Sequence, residues 1–197
     1  MENTVTSEHD QSAKTKNAEN RKMFDALYDH YKSDVYRFAV YLTKNRGEAE
    51  ELFQDTWLRV AKNFLKAVNM KKVKSWIFTI TSNLYKDSLR KKRVRRSFLF
   101  QTMEQAGNNQ SPRENARSMD NLSHTDSSEQ LDIGRAISQA LTKLPEQHRQ
   151  IFVLKEMAGF KYSEISEILK LPEGTVKSVL FRAVKKLRLD LKAYSQG

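Results

Sequence analysis

The chain has 197 residues with 35 Lys/Arg against 24 Asp/Glu, a formal net charge of +11 at pH 7 that predicts a polyanionic partner. It contains no cysteine, which excludes disulfides, thiolate zinc sites and cysteine nucleophiles, and only six Gly and three Pro, which favours helices over a turn-rich β fold. No run has the apolar length of a signal peptide or a membrane-spanning helix, so we expect a soluble protein without membrane insertion.

The first half of the chain predicts three helices after a polar start. Residues 1–20 lack apolar periodicity and are expected to form a disordered tail. Apolar residues then recur every three or four positions over 23–41, which indicates a helix. A second helix is expected over 48–64, with acidic residues at its start that suit the positive end of the helix dipole. A basic loop over 65–73 leads to a third helix, which begins near Lys74. The apolar pattern of this helix ends where an Arg/Lys run begins.

The second half of the chain begins after a change in composition. Residues 98–130 are dominated by Asn, Ser, Gln, Asp and Gly over most of their length, which predicts a flexible linker. Helical spacing restarts over 131–144, and Pro145 opens another helix that ends near Gly159. The sequence therefore predicts an all-α protein with two small helical domains joined by a flexible linker.

The most specific pattern lies in residues 162–178 (YSEISEILKLPEGTVKS). A short helix, a turn and a second helix beginning at Pro172 form the layout of a helix-turn-helix, whose second helix enters the major groove of DNA. An ordinary helical hairpin is the alternative. The face of the second helix that is expected to contact duplex DNA carries Thr175, Lys177, Ser178, Phe181, Arg182 and Lys185.

The positive charge is concentrated in two segments. Residues 66–97 hold eleven Lys/Arg and one acid, Asp87, a net charge of +10, and residues 175–192 have a net charge of +5. Two separated basic segments suggest two points of contact with one long polyanion; solvated helix faces are the alternative. In the first segment Trp76, Phe78 and Tyr85 alternate with cations, which suits unstacked bases, although a core position is the favoured interpretation for Trp76.

Taken in this order, the segments resemble the bacterial sigma-70 family of RNA polymerase sigma factors, in particular its extracytoplasmic-function (ECF) group, over residues 24–97 and 131–191. Residues 48–60 (EAEELFQDTWLRV) resemble the helix by which that family binds the clamp of the largest polymerase subunit. A solvated helix face is the alternative reading of the charges on that helix. The resemblance implies that the exposed contacts are Gln54, Asp55, Leu58 and Arg59.

Residues 75–91 (SWIFTITSNLYKDSLRK) resemble the helix by which the same family recognises and melts the −10 promoter element. Asn83 and Asp87 could equally have structural roles. The resemblance implies that the DNA contacts at the melted fork are Lys71, Lys72, Lys74, Asn83, Lys86, Arg90 and Arg93. By the same resemblance residues 21–97 correspond to sigma domain 2 and residues 131–197 to sigma domain 4, which reads the −35 element as duplex.

The resemblance implies a transcription initiation factor that binds core RNA polymerase, directs it to promoters through the −10 and −35 elements and melts the −10 duplex. Neither catalysis nor a cofactor or metal is expected, because Glu50, Glu51 and Asp55 do not converge on one point. The expected partners are core polymerase, promoter DNA and an anti-sigma factor, in the cytoplasm of a bacterium. The alternative is a stand-alone helix-turn-helix regulator that binds duplex operator DNA.

Three residues depart from the pattern of this family. Lys170 stands in the turn where Gly is usual, which predicts a non-glycine residue with positive φ. Val179 and Val184 stand where Arg is common, so we expect weaker or altered binding to the −35 element. The sequence leaves the relative arrangement of the two domains open.

Overall fold

The computed structural model describes residues 5–43, 45–67, 72–105 and 136–194. Within these ranges there is no β-strand, and the predicted all-α class with a C-terminal helix-turn-helix is confirmed. The helices in chain order are α1 (Val5–Leu42), α2 (Arg46–Ala67), α3 (Val73–Gln105), α4 (136–142), α5 (Glu146–Phe152), α6 (Tyr162–Leu169) and α7 (Glu173–Tyr194), and a π-helical segment (Val153–Met157) continues α5.

The first three helices pack through the apolar stripes that their sequences predict. One face of α2 buries Leu52, Thr56 and Val60, and the Thr56 hydroxyl donates to the backbone oxygen of Leu52 at 2.8 Å, so this polar group is satisfied inside the core. Asn45 fixes the start of α2, because its side-chain oxygen accepts a hydrogen bond from the backbone N–H of Glu48 at 2.8 Å. The cap fixes where α2 begins, and the buried stripe fixes which of its faces is turned toward solvent.

Two helices are longer than the sequence analysis expects. α1 begins at Val5, inside the predicted tail, and α3 continues to Gln105, past the expected end of the first domain at residue 97. The reason is composition: no Gly or Pro occurs before Gly47, and none lies between the start of α3 and Gly107. The predicted linker is therefore helical over 98–105, and its remaining residues lie outside the described ranges.

The turn of the helix-turn-helix contains the predicted strained residue. Lys170 has φ 56° and ψ 49°, the left-handed conformation that glycine adopts without penalty, so this expectation is confirmed. The turn is closed by hydrogen bonds to Ser166, whose backbone oxygen accepts from the N–H groups of Lys170 and Leu171 and whose hydroxyl donates to the Leu171 oxygen at 2.5 Å. These bonds set the angle at which α7 leaves α6.

We expect the substitution Lys170→Gly to raise the free energy of unfolding by about 0.5–1 kcal/mol, because it removes left-handed strain at the cost of some backbone entropy. Urea denaturation measures the change. The matched control is Ser163→Gly on the exposed side of α6. Glycine at this helical position should lower the free energy of unfolding by about as much as Lys170→Gly raises it. A loss of stability in both variants would contradict a strained Lys170.

The two halves of the chain pack against each other. α3 contacts α6, and α1 contacts α5 and the π-helical segment. The ring of Phe78 in α3 lies 5.0 Å from that of Phe38 in α1 and 5.0 Å from that of Phe160, which follows the π-helical segment. The sequence leaves the relative arrangement of the two domains open. In the structure the two halves are in direct contact, and Phe78 lies at their junction.

Candidate nucleic-acid and polymerase interfaces

α7 presents the predicted duplex-binding residues on its solvent side. Thr175 is half-buried and the other five are exposed; Phe181, an aromatic side chain, is 71% exposed. The opposite side of α7 forms the predicted apolar stripe, of which Leu191 is half-buried and the rest are buried: Val176, Leu180, Ala183 and Leu187. The structure therefore brings the six predicted residues together on one accessible helix face.

Local contacts orient the polar groups of this face. The Arg182 Nε donates to the backbone oxygen of Ser178 at 3.2 Å, which directs its guanidinium along the helix. Lys177 lies 2.8 Å from the Glu173 carboxylate and over the ring of Tyr162, and the hydrogen bond to Glu173, followed by its charge, raises the pKa of Lys177. Lys177 and Arg182 are thus both held by contacts within α7, whereas Lys185 is exposed.

The structure corrects the expectation for Val179. Its side chain is 3% exposed and belongs to the apolar core, so in this arrangement residue 179 does not face a DNA backbone. Val184 is half-buried and packs against the same core. Burial explains why valine stands at these positions. Because residue 179 does not face DNA, valine there does not imply that a phosphate contact has been lost.

The residues predicted for the −10 fork lie along α3 and just before it. Asn83, Lys86, Arg90 and Arg93 follow one another at intervals of three and four residues, which places them on one side of the helix, and all four are exposed. Lys72 and Lys74 lie at the N-terminal end of α3, and Lys71 lies outside the described residues. We call the described cations of this predicted set the α3 strip: Lys72, Lys74, Lys86, Arg90 and Arg93.

The second half of the chain contacts several cations of the α3 strip, although four of its five side chains remain exposed. Lys72 Nζ is 2.8 Å from both carboxylate oxygens of Glu167, and Lys74 Nζ donates to the backbone oxygen of Ala158 at 2.7 Å. Lys86 Nζ donates to the backbone oxygen of Leu169 at 3.3 Å. These partners lie 95, 84 and 83 residues away along the chain, and no local sequence signal identifies them.

The two remaining cations of the α3 strip are arginines that pair with carboxylates. Arg93 is 3.5 Å from the carboxylate of Glu146 in α5, and Arg90 is 3.3 Å from Asp87 within its own helix. Burial lowers the pKa of Lys86, and the positive charge of Lys170 lowers it further. The strip is therefore a concentrated positive surface whose charges are only partly compensated.

The aromatic residues that alternate with these cations belong largely to the core. Phe78 is fully buried, Tyr85 is buried and Trp76 is half-buried, so the interpretation of Trp76 as a core residue agrees with its position, and the first two rings are not available to bases. The hydroxyl of Tyr85 accepts a hydrogen bond of 2.8 Å from Arg149, whose side chain is 1% exposed. Burial raises the pKa of Tyr85, which keeps this phenol protonated.

The face of α2 predicted to bind polymerase is also accessible. Gln54, Asp55, Leu58 and Arg59 are all exposed, and their spacing places them on one side of the helix, opposite the buried stripe. Leu58 is 59% exposed between charged neighbours. A single exposed apolar side chain is common on protein surfaces, and Leu58 is a candidate contact because it shares this face with Gln54, Asp55 and Arg59.

Neither a metal site nor a membrane span is found in the described ranges. Their His, Asp and Glu residues form no group of three or more that could hold a metal ion. No described helix is both long and apolar enough to cross a bilayer. The candidate sites are surfaces built from cations, amides, hydroxyls, the Asp55 carboxylate and two exposed apolar side chains, Leu58 and Phe181.

Two family descriptions match the chain: Sigma-70 region 2 over residues 27–95, and Sigma-70 region 4 over residues 134–187. The ECF RNA polymerase sigma factor SigM of Bacillus subtilis is 30% identical over 166 residues, covering 83% of this chain and 92% of the relative. SigL of Mycobacterium tuberculosis is 30% identical over 169 residues, covering 84% and 87%. Among solved structures, the sigma factor RpoE in complex with the anti-sigma factor NepR from Bartonella quintana aligns with a TM-score of 0.69 at 25% identity, covering 87% of this chain and 98% of that one.

Proposed function

The chain belongs to the ECF group of the sigma-70 family of RNA polymerase sigma factors, and from that premise we propose how it binds core polymerase and directs it to promoters. It acts as a transcription initiation factor and not as an enzyme. The observation that carries the proposal is the order of regions 2 and 4 on one chain, each with an exposed face of the expected chemistry. Residues 21–97 serve as sigma domain 2, residues 98–130 as the linker and residues 131–197 as sigma domain 4.

Core polymerase binds the exposed face of α2. Leu58 supplies apolar area at the centre of the contact, while Asp55 and Arg59 supply opposite charges one helical turn apart, and Gln54 adds a neutral hydrogen-bonding group. Such a mixed surface suits the clamp of the largest polymerase subunit, because orientation is fixed by charge and affinity is gained from burial of the leucine.

The α3 strip, with Asn83, binds the melted −10 element. Its cations neutralise phosphates along the displaced strand, and the Asn83 amide offers both a donor and acceptors to a base edge. Opening the duplex in this way requires no nucleotide hydrolysis, because phosphate contacts and capture of unstacked bases stabilise the open state. Lys71 belongs to this set by its position in the sequence.

The exposed face of α7 reads the −35 element as duplex in the major groove. Thr175, Ser178 and Phe181 lie near the N-terminal end of the helix, where short polar groups and an exposed ring approach base edges. Lys177, Arg182 and Lys185 supply the phosphate contacts that fix the register of the helix on the duplex.

We expect the double substitution Arg182→Ala/Lys185→Ala to weaken binding to −35 duplex and to reduce its salt dependence. Loss of two phosphate contacts should lower the slope of log K against log salt by about 1.8 in magnitude. Fluorescence anisotropy at several salt concentrations measures the slope. Arg188→Ala/Lys192→Ala, which removes two exposed cations further along α7, is the matched control. An unchanged slope in the first variant would place the DNA-binding face elsewhere.

An anti-sigma factor is the proposed regulatory partner, since the aligned RpoE structure is a complex with the anti-sigma factor NepR. The proposed location is the cytoplasm of a bacterium, where polymerase acts. A stand-alone regulator would need neither the exposed α2 face nor the α3 strip. Co-elution of the chain with bacterial core polymerase on size exclusion tests the proposal, and separate elution at micromolar concentrations would contradict it.

A further inference from the structure

A group of three basic side chains lies where α5 packs on α7, at the edge of the face proposed to bind duplex DNA. It consists of His148 in α5 with Arg182 and Lys186 in α7. Arg182 and Lys186 are exposed one helical turn apart, and His148 is half-buried. Only Arg182 belongs to the six residues predicted from the sequence. This group, which we call the α5–α7 cluster, therefore extends the basic face of α7 onto the neighbouring helix.

Hydrogen bonds to backbone oxygens hold the two α7 cations of the cluster. Lys186 Nζ donates to the backbone oxygen of Lys143 at 3.0 Å, in the turn between α4 and α5, so its ammonium is held beside the start of α5. Arg182 donates to the Ser178 oxygen through Nε, and its terminal nitrogens make no hydrogen bond with a described residue. These nitrogens are therefore able to bind an anion.

The His148 ring lies close to both cations. Burial lowers the pKa of His148, and the positive charges of Arg182 and then Lys186 lower that pKa further. Because charges at a partly exposed site act strongly only over short distances, this effect places the three basic groups near one another. No hydrogen bond joins the His148 ring to a described residue, so its polar nitrogens also remain able to bind a ligand.

No described acid offsets the charge of the cluster. Among the described residues, α1, α3 and the π-helical segment contribute no charge to the pKa shift of His148. Glu146, the one acid of α5, lies 3.5 Å from Arg93 of α3. Basic groups that are gathered without a carboxylate favour the binding of an oxyanion.

A backbone phosphate is the oxyanion that comes to this place when α7 enters a major groove. In helix-turn-helix proteins a helix beside the recognition helix crosses the DNA backbone that borders the groove. Imidazole, guanidinium and ammonium groups offer hydrogen-bond donors to the two free oxygens of one phosphate. The α5–α7 cluster holds one group of each kind.

We propose that His148, Arg182 and Lys186 together bind one backbone phosphate of the −35 duplex, beside the face that contacts its bases. This inference rests on the function proposed above and adds His148 and Lys186 to its DNA contacts. Since the contact is to the backbone, it fixes the position of α7 on the duplex and does not select a base sequence.

The proposal makes duplex binding depend on pH. The lowered pKa leaves the free His148 ring neutral near pH 7, whereas a bound phosphate favours the imidazolium, so the pKa is higher in the complex than in the free chain. The additional affinity is fully present below the pKa of the free chain. It is lost as pH rises through the pKa of the complex.

The first test is the substitution His148→Gln, which removes the titration and keeps a neutral donor. Anisotropy uses a fluorescein-labelled duplex selected from a random pool by binding to the chain. The ratio of parent to variant affinity should rise about threefold to fivefold between about pH 7.5 and about pH 5.5. His30→Gln, at an exposed ring of α1, is the matched control and should keep the pH dependence of the parent. A purely structural role of His148 would change affinity equally at both pH values.

The second test removes the lysine of the cluster. Lys186→Ala should lower the slope of log K against log salt by about 0.9 in magnitude, because one phosphate contact is lost. Arg188→Ala, at an exposed cation further along α7, is the matched control and should leave the slope of the parent unchanged. Equal slopes for the two variants would contradict a phosphate contact at Lys186.

An NMR titration of the histidine ring protons follows His148 directly, with His30 as the internal reference. Its pKa should rise when the selected duplex is added and should stay unchanged with inorganic phosphate at the same phosphate concentration. An unchanged pKa in the complex, an equal rise with inorganic phosphate, or the same pH dependence in parent and His148→Gln would overturn the proposal while duplex binding itself stands. Failure of the chain to select any duplex would instead remove the proposed −35 recognition as well.

Discussion

Replacing Phe78 by alanine is expected to lower the free energy of unfolding by about 3–5 kcal/mol. The side chain is fully buried, and its ring packs edge-on and tilted against Phe160 and Phe38 from the two halves of the chain. A cavity at this junction removes contacts from both halves at once, and neither can relax freely to fill it. Urea denaturation followed by circular dichroism measures the loss.

Phe181→Ala is the matched control, since the same ring is removed from a site that is largely exposed. Its unfolding free energy should stay within about 0.5 kcal/mol of the parent, while its affinity for −35 duplex falls. The two phenylalanines should therefore separate stability from DNA binding. Similar losses of stability in both variants would contradict the assignment of Phe78 to the core and of Phe181 to the DNA-binding face.

The double substitution Asp55→Ala/Arg59→Ala is expected to weaken binding to core RNA polymerase by about tenfold or more, because both charges lie on the exposed face of α2 beside Leu58. Helicity should be unchanged, since neither side chain is buried. Titration of labelled protein with core polymerase measures the affinity, and circular dichroism measures the helicity.

Glu51→Ala/Lys62→Ala removes one acid and one base from exposed positions on the same helix and leaves net charge equal to that of the first variant. It should bind polymerase with nearly the parent affinity, because these residues lie outside the proposed contact. If both double variants lose affinity equally, the effect comes from the charge of α2 as a whole. Unchanged binding in the first variant would remove the proposed clamp contact.

The sequence predicts the helices and the helix-turn-helix because these depend on local periodicity. The burial of Leu52, Val60 and Leu180 follows from apolar spacing. The positive φ of Lys170 is expected from the resemblance, because the family usually has Gly at that place in the turn. The accessible faces of α2 and α7 could be predicted for the same reason, since a helix with one buried stripe presents the residues opposite that stripe.

The contacts of the α3 strip with the second half could not be predicted, because they join residues far apart in the chain. Lys86 meets the end of α6 through a backbone oxygen, a group that every residue carries and that no side-chain pattern identifies. Phe78 and Tyr85 are interleaved with cations in the sequence, yet packing of the second half turns them into core residues. Val179 is also buried and belongs to the same core cluster.

The extent of α1 and α3 shows a different limit of sequence reasoning. Apolar periodicity marks where a helix is packed, whereas these two helices continue beyond the periodic stretch through segments that contain no Gly or Pro. The boundaries proposed for the two domains are therefore better judged by function than by the ends of helices.

Transcription from a pool of bacterial genomic fragments, with core polymerase in the presence and absence of this chain, is the most direct test of the proposed function. Mapping the 5′ ends of the products should reveal discrete start sites that appear only when the chain is added, each preceded by shared −10 and −35 sequences. If the chain leaves the start sites of core polymerase unchanged and binds duplex fragments alone, it is a stand-alone regulator and not a promoter-directing subunit.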